Sequence, residues 1–141
     1  MNVRCATIDD WPAIERVAKL SKYTREATGP HYLSQAALDK GWVGVIGEPV
    51  HGFVIVRHLV RKPYTSLYYV GVDPAHQGEG SGKALVQWAL DTSPHGCVRL
   101  VCDKENHAAL SWYYRHGFMR DGDGADKSGR HPFWRLVTWR E

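Results

Sequence analysis

No run of apolar residues in this chain approaches the ~20 that cross a bilayer. The opening MNVRCATIDDW also lacks the apolar core of a signal peptide. A cytoplasmic protein with no membrane partner is expected. Cysteine is scarce: Cys5, Cys97 and Cys102 cannot all pair, and their spacing suits no zinc motif, so reduced core thiols are expected. The eight histidines show no H-E-x-x-H or comparable spacing. DGDGAD falls short of a calcium loop, because Asp126 replaces the required glycine and no glutamate closes it. No metal is expected. A strong charge of one sign is missing too. The net charge of +3 permits an anionic ligand without demanding nucleic acid. Trp88 and Trp134 lie in an apolar helix face and an apolar strand, where core packing explains them better than base stacking, so nucleic acid is not an expected partner.

What is present describes an ordinary globular chain. With 141 residues, 43% of them hydrophobic, a single domain over residues 1–141 has enough material for a real core. VRCAT reads as a strand. IDDWPAIERVAKLS reads as a helix with Asp9 or Asp10 as N-cap and Ile14, Val17, Ala18 and Ser21 on one face. REATGP is a loop, and HYLSQAALDKG a short helix stopped by Gly41. WVGVI, HGFVIVRHL and TSLYYVGVD follow as a strand meander. A helix carrying Ala84, Leu85, Trp88 and Ala89 on one face comes next, then the strand CVRLVC. A further helix has Asn106 as N-cap and Gly117 beyond its end. FMRDG begins a strand, DGADKSGRH is a loop, and FWRLVTW is the last strand, whose aromatics make either a monomer or a homodimer possible. A mixed α/β unit accounts for this order.

The segment VGVDPAHQGEGSGKALVQWAL packs three glycines into residues 78–82, between a strand and a helix. The first N–H groups of that helix lack internal partners, and with the helix dipole they form an anion site. Gly78, Gly80 and Gly82 keep side chains away from those amides, and Lys83 adds a cation at the rim. A P-loop is excluded, since Ala84 follows Lys83 and Gln77 replaces the first glycine. The dinucleotide fingerprint fails at Leu85.

What does match is Q-x-x-G-x-G, at Gln77, Gly80 and Gly82, followed by N-x-x-A-x-x-x-Y-x-x-x-G-F, at Asn106, Ala109, Tyr113, Gly117 and Phe118. In these motifs, their order and their separation the chain resembles the GCN5-related N-acetyltransferase (GNAT) family. The resemblance implies a mixed, mostly antiparallel twisted sheet flanked by helices. It implies acetyl-CoA as cosubstrate, held where two parallel strands, SLYYVGV and CVRLVC, splay apart. By the same resemblance, Val70, Gly71 and Val72 offer main-chain contacts to the pantetheine arm and the thioester. Gln77, Gly78, Glu79, Gly80, Ser81, Gly82 and Lys83 hold the pyrophosphate, with the Glu79 side chain turned to solvent. Asn106 belongs to the cofactor site, and Tyr113 is the residue that protonates the departing thiolate.

The chemistry this implies is attack of a primary amine on the thioester, in which two protons move. A lysine-type amine, of pKa ~10.4, must lose one, and a phenol, of pKa ~10, suits delivery of the other to a thiolate. The glutamate that many relatives carry five residues before the matched asparagine is Val101 here. Tyr68, Tyr69, Asp103, His107 or a water chain are the substitutes. A non-catalytic CoA-binding or sensory module on the same fold, or a transferase for another acyl-CoA, are the alternative functions. The acceptor pocket is expected around Ser21–His31 and Asp121–His131, where Lys22, Arg25, Arg130 and Glu26 express no consistent charge preference. Tyr114 and the valine side chains are read as packing.

Overall fold

A computed structural model describes residues 2–141. The elements in chain order are β1 (Val3–Cys5), α1 (Trp11–Ala18), α2 (Gln35–Asp39), β2 (Val43–Ile46), β3 (Gly52–His58), β4 (Thr65–Val72), α3 (Ser81–Thr92), β5 (Cys97–Asp103), α4 (His107–Arg115), β6 (Met119–Ala125) and β7 (Pro132–Trp139). The strands form one seven-stranded sheet in the order β1-β2-β3-β4-β5-β7-β6. Every neighbouring pair is antiparallel except β4 and β5.

Two cores cover this sheet from opposite sides. Leu85, Val86, Ala89 and Leu90 of α3 and Leu110 and Tyr113 of α4 pack with Val54, Val56, Val98, Leu100 and Leu136 on one face. Ile14, Val17 and Ala18 of α1 and Ala37 and Leu38 of α2 pack with Val43, Val45, Phe53 and Ile55 on the other. β2 and the first part of β3 are buried on both faces, which is why they read as unbroken apolar runs rather than alternating ones. The second core ends at β4. On β5, Val98, Leu100 and Cys102 belong to the first core, so period-two alternation turns Arg99, Val101 and Asp103 to the face that no helix covers. Val101 is 59% exposed there.

Several details differ from the sequence reading. Asp10 stands at the N-cap of α1, as expected, but its side chain makes no capping bond to the helix. Its carboxylate turns back to take two 2.8 Å bonds from the Arg4 guanidinium and one from the Thr7 amide. α1 stops at Ala18, so Ser21 falls outside it, and REAT forms a tight helical turn rather than open loop. α2 starts later than expected, capped by Ser34, whose hydroxyl accepts from Ala37 N. Cys97 and Cys102 are buried as expected, but Cys5 is exposed; all three are free thiols. The largest correction is β6. The glycine- and aspartate-rich stretch after Phe118 remains strand through Ala125, leaving only residues 126–131 as the hairpin connection. Composition concealed this edge strand because its glycines answer to its neighbour: a side chain at Gly124 would meet the Phe133 ring at 2.9 Å.

Candidate active site

The parallel pair is fastened at one end only. Thr65 pairs with Val98 and Ser66 with Arg99, and no further residues of β4 and β5 are in register. A buried polar relay closes that end: Thr65 donates to Ser93 Oγ at 2.8 Å and meets His58 Nδ1 at 2.7 Å. Past Ser66 the strands part and leave a V-shaped cleft of about 1560 Å³. Single small-molecule sites run to roughly 1,000 Å³, so this space suits two substrates side by side.

One wall of the cleft is the unpaired edge of β4. Asp73 N donates to His51 O at 2.8 Å, which marks that pair as hydrogen-bonded across β3 and β4. In an antiparallel ladder such pairs alternate, so Gly71 opposite Phe53 and Tyr69 opposite Ile55 spend their main-chain groups on β3. Val70 and Val72 lie between them, and their N–H and C=O groups face the gap. The side chains of Val70 and Val72 pack against the first core. Gly71 has its own steric reason, because a side chain there would come within 2.7 Å of Phe53.

β4 also carries a bulge. Tyr69 pairs with Ile55 and Leu67 with Val56, leaving Tyr68 as the extra residue. Consecutive strand residues normally point to opposite faces. Here both Tyr68 and Tyr69 reach Tyr32, with ring centroids 5.2 and 5.0 Å away in edge-to-face geometry. Burial, reinforced by Tyr32, pushes the Tyr69 phenol up to about 12, so it is a hydrogen-bond donor and not a base at neutral pH.

The end of the cleft near α3 is made of main chain. Gly80 is the N-cap of α3 with φ +87°, and Gly78 has φ +84°, a region that side-chain-bearing residues avoid. A Cβ at either position would meet nothing within 4 Å. These two glycines are therefore required by backbone conformation, and the space before them is open. Gly82 has a different cause: a side chain there would press on Trp112 at 3.2 Å, so it lets α4 close over the start of α3. Trp112 in turn stacks on His116 at 3.9 Å. Gln77 and Lys83 are exposed on the rim, and Glu79 turns outward to His76 at 3.1 Å.

The turn is braced from behind by a pair that sequence spacing did not show. His51 and His76 stack at 4.0 Å with their rings 10° from parallel, and His51 Nε2 meets Ser81 Oγ at 2.8 Å. Burial, then the neighbouring His76, hold the pKa of His51 below 6.5. With Glu79, these imidazoles bring three donor atoms within 4.8 Å of one another. Parallel stacked rings point their in-plane lone pairs along parallel lines, so they do not converge on an ion. The arrangement suits bracing of the turn.

Tyr113 stands on the α4 wall, buried between Trp112 and Phe118 in edge-to-face contacts of 5.4 and 5.1 Å. Burial, with a smaller contribution from Cys102, raises its pKa far above the ordinary phenol, so it stays protonated. Burial likewise lifts the Cys102 thiol to about 11, which leaves it unreactive at neutral pH. Asn106 lines the cleft while its side chain caps α4, accepting from Ala109 N at 3.3 Å.

The opposite end is built from side chains. Tyr23, Tyr32, Tyr64, Tyr68 and Tyr69 line it; together with Tyr113 they are six of the chain's seven tyrosines. Lys62, Arg99 and Arg135 line it as well, and Asp103 is the one carboxylate in the whole lining among the described residues. Arg99 is paired with Asp121 at 2.6 Å and lies over the Tyr64 ring. Of this set, the sequence reading had singled out only Tyr68, Tyr69, Asp103 and the segment holding Tyr23. His107 starts α4 and is exposed, and it is not part of the lining.

A family model described as acetyltransferase (GNAT) family matches residues 4–118. The chain belongs to this family. It is 37% identical to a 5-NmdU N-acetyltransferase of Pseudomonas phage PaMx11, over 90% of this chain and 93% of that protein. It is 32% identical to the N-alpha-acetyltransferase RimI of Mycobacterium tuberculosis, over 81% of this chain and 65% of that one. Among solved structures, a GNAT acetyltransferase from Bacillus cereus superposes with a TM-score of 0.82 at 20% identity, covering 99% of this chain and 97% of its own. The PaiA N-acetyltransferase of Thermoplasma acidophilum, solved with coenzyme A, gives 0.78 at 16% identity over 98% of each. The GNAT fold expected from the two motifs is thus the fold of this chain. The protein is an acyltransferase, and its reaction is transfer of an acetyl group to an amine. No helix among the described residues is long and apolar enough to cross a membrane.

Proposed function

We propose that this chain is a single GNAT domain over residues 1–141 that acetylates an amine carried by a modified nucleoside, of the kind named for the phage relative. The observation that carries this reading is a full-length match to that relative together with a cleft end walled by five tyrosines. Aromatic walls suit a flat base, which stacks on them. A lining with one carboxylate suits polycationic amines poorly.

Each expected residue has a role in this reading. The diphosphate of acetyl-CoA lies on the amides from Gln77 to Lys83, where the open space before Gly78 and Gly80 receives it. The pantetheine arm extends the sheet along the free edge of β4. The N–H of Val70 takes the thioester oxygen as it gains charge, a contact of the sort that contributes about 3 kcal/mol to a barrier. Tyr113, neutral by burial, donates to the sulfur as the C–S bond breaks. It is a weak acid in this setting, so it acts first as a hydrogen-bond donor to the leaving thiolate.

The proton of the amine goes to Asp103. Counting on from Thr65 opposite Val98, and allowing for the extra residue at Tyr68, Val70 falls at the level of Cys102 across the gap, one residue before Asp103. One oxygen of Asp103 accepts from Glu105 N at 2.8 Å, which orients the carboxylate. No metal takes part in this scheme, and acetyl-CoA is supplied from the cytoplasm.

The test is thiol release from acetyl-CoA with a panel of amines: 5-NmdU, a peptide with a free N-terminus, and a polyamine. Turnover with 5-NmdU at least tenfold above the others supports the reading. Preference for the peptide overturns it in favour of the RimI-like substrate. Saturable CoA binding without turnover on any amine indicates a binding module. Replacing acetyl-CoA with a longer acyl-CoA in the same assay tests the acyl preference.

A further inference from the structure

The imidazole of His51 and the hydroxyl of Ser81 are buried polar groups with no step in the reaction as described. His51 precedes β3 and lies outside the cleft lining. Its main chain is held on both sides: its N–H donates to Ile46 O at 2.9 Å, and its carbonyl accepts from Asp73 N at 2.8 Å. Its ring has a reserved place, because a side chain at Gly47 would overlap the imidazole at Nδ1 and Cε1. One face of that ring lies on His76. Arg16 of α1 ties the same segment from the acceptor side, donating to Asp73 Oδ2 at 2.8 Å and to Val50 O at 3.2 Å. From this fixed seat His51 Nε2 reaches Ser81 Oγ at 2.8 Å, and Ser81 is the first residue of α3.

The turn before α3 needs such an anchor. Gly78 and Gly80 stand at positive φ, with open space where side chains would be. Glycine leaves the chain more freedom than any other residue, and the first N–H groups of a helix have no partners inside it. We propose that His51 is a positioning residue for acetyl-CoA: through Ser81 it holds the first turn of α3 in the arrangement that receives the diphosphate. This inference rests on the reading that places the diphosphate on the amides from Gln77 to Lys83. Burial keeps His51 neutral at pH 7, so the brace brings no charge to the anion. What it supplies is preorganisation. Without it the ligand must order the turn, and that cost is subtracted from affinity.

The experiment measures the Kd of coenzyme A by calorimetry in four variants. His51→Phe keeps a ring against His76 and removes the nitrogen. Ser81→Ala removes the hydroxyl and keeps the amide. Each should weaken coenzyme A about five- to tenfold, as expected for one net hydrogen bond. The double variant should bind within about twofold of either single, because both changes remove the same contact. His51→Gln, whose amide can reach Ser81, should return affinity to within about twofold of the wild type. The loss in His51→Phe should be equal at low and high salt, as befits a neutral brace, whereas the effect of Lys83→Ala should fade as salt screens its charge. Amide exchange in the free protein should quicken from Gly78 to Gly82 in His51→Phe. Thermal melting verifies folding of each variant; if His51→Phe fails to fold, Ser81→Ala alone carries the same expected loss of affinity and faster exchange.

Unchanged affinity in His51→Phe and Ser81→Ala, or losses that multiply in the double variant, overturns the inference. If Gly80→Val still weakens coenzyme A in that case, the diphosphate reading stands. Unchanged affinity in Gly80→Val as well overturns that reading too.

Discussion

The two ends of the cleft are built on different principles. The end near α3 is main chain: the free edge of β4 at Val70 and Val72, and the turn through Gly78 and Gly80. The end near the β3–β4 loop is side chain: tyrosines and cations drawn from the α1–α2 segment, that loop, β4, β5 and β7. Main chain is the same in any sequence, so the first end can serve one invariant ligand. Side chains vary freely on a fixed sheet, so the second end can be retuned to a new amine without disturbing the first.

The strongest way to break this comparison is at Gly80. Gly80→Val forces a β-branched residue to φ +87° and fills the space in front of the turn. Left-handed strain plus loss of the proposed anion contact, about 3 kcal/mol together, should weaken CoA binding on the order of 100-fold. Calorimetry should show this with little change in the binding of the acceptor. Unchanged CoA affinity would mean that the turn is not the diphosphate site.

Tyr113→Phe separates chemistry from binding. It should lower kcat by about 10- to 100-fold, the low end for general acids, because in the proposed scheme the buried, neutral phenol acts chiefly as a hydrogen-bond donor. The Kd for CoA should stay within about twofold, since the ring packing on Phe118 and Trp112 is retained. Rates measured with saturating substrates check the first value and calorimetry the second.

At the side-chain end, Tyr32→Ala removes two edge-to-face contacts, each worth about 1 kcal/mol, that set the orientation of Tyr68 and Tyr69. The acceptor KM should rise about tenfold while the acetyl-CoA KM holds. A matching rise in both would show that the two ends are not independent.

Asp10→Asn is the control remote from the cleft. Asp10 is buried, and Arg4 holds its carboxyl below the usual range, so its folded pKa is lower than its unfolded one. The stabilisation is complete above the unfolded value of about 4 and fades as pH falls through the lower folded value. Arg4 is half-exposed, which limits the loss in Asp10→Asn to about 1.5 kcal/mol at neutral pH. Urea unfolding at several pH values should show a lowered midpoint and a flatter acid limb, with turnover per folded molecule unchanged.

The same contrast explains what the sequence disclosed. The main-chain end was legible because conformations that need glycine leave glycine at fixed spacing, and Gly78 and Gly80 could be read directly. Tyr113 was legible through its place in a helix motif. The reason for Gly82 was hidden, because Trp112 comes from another helix thirty positions on. Tyr32, Tyr64, Lys62 and Arg135 were invisible as a group: no local spacing links them, and only the sheet order brings them together. β6 was misjudged because glycine and aspartate signal turns locally, whereas pairing with β7 decides the outcome. The histidine brace failed to register for the same reason, with His51 and His76 meeting only across a β4 turn.

The central claim is that coenzyme A is held by main-chain hydrogens along one strand edge and one glycine turn. Amide hydrogen exchange resolved to single residues, with and without coenzyme A, tests it most directly. Slowed exchange at Val70, Val72 and the amides from Gly78 to Lys83, with Tyr69 and Gly71 unaltered, is the predicted result. Protection confined to other segments, or equal at Gly71 and Val72, would contradict it.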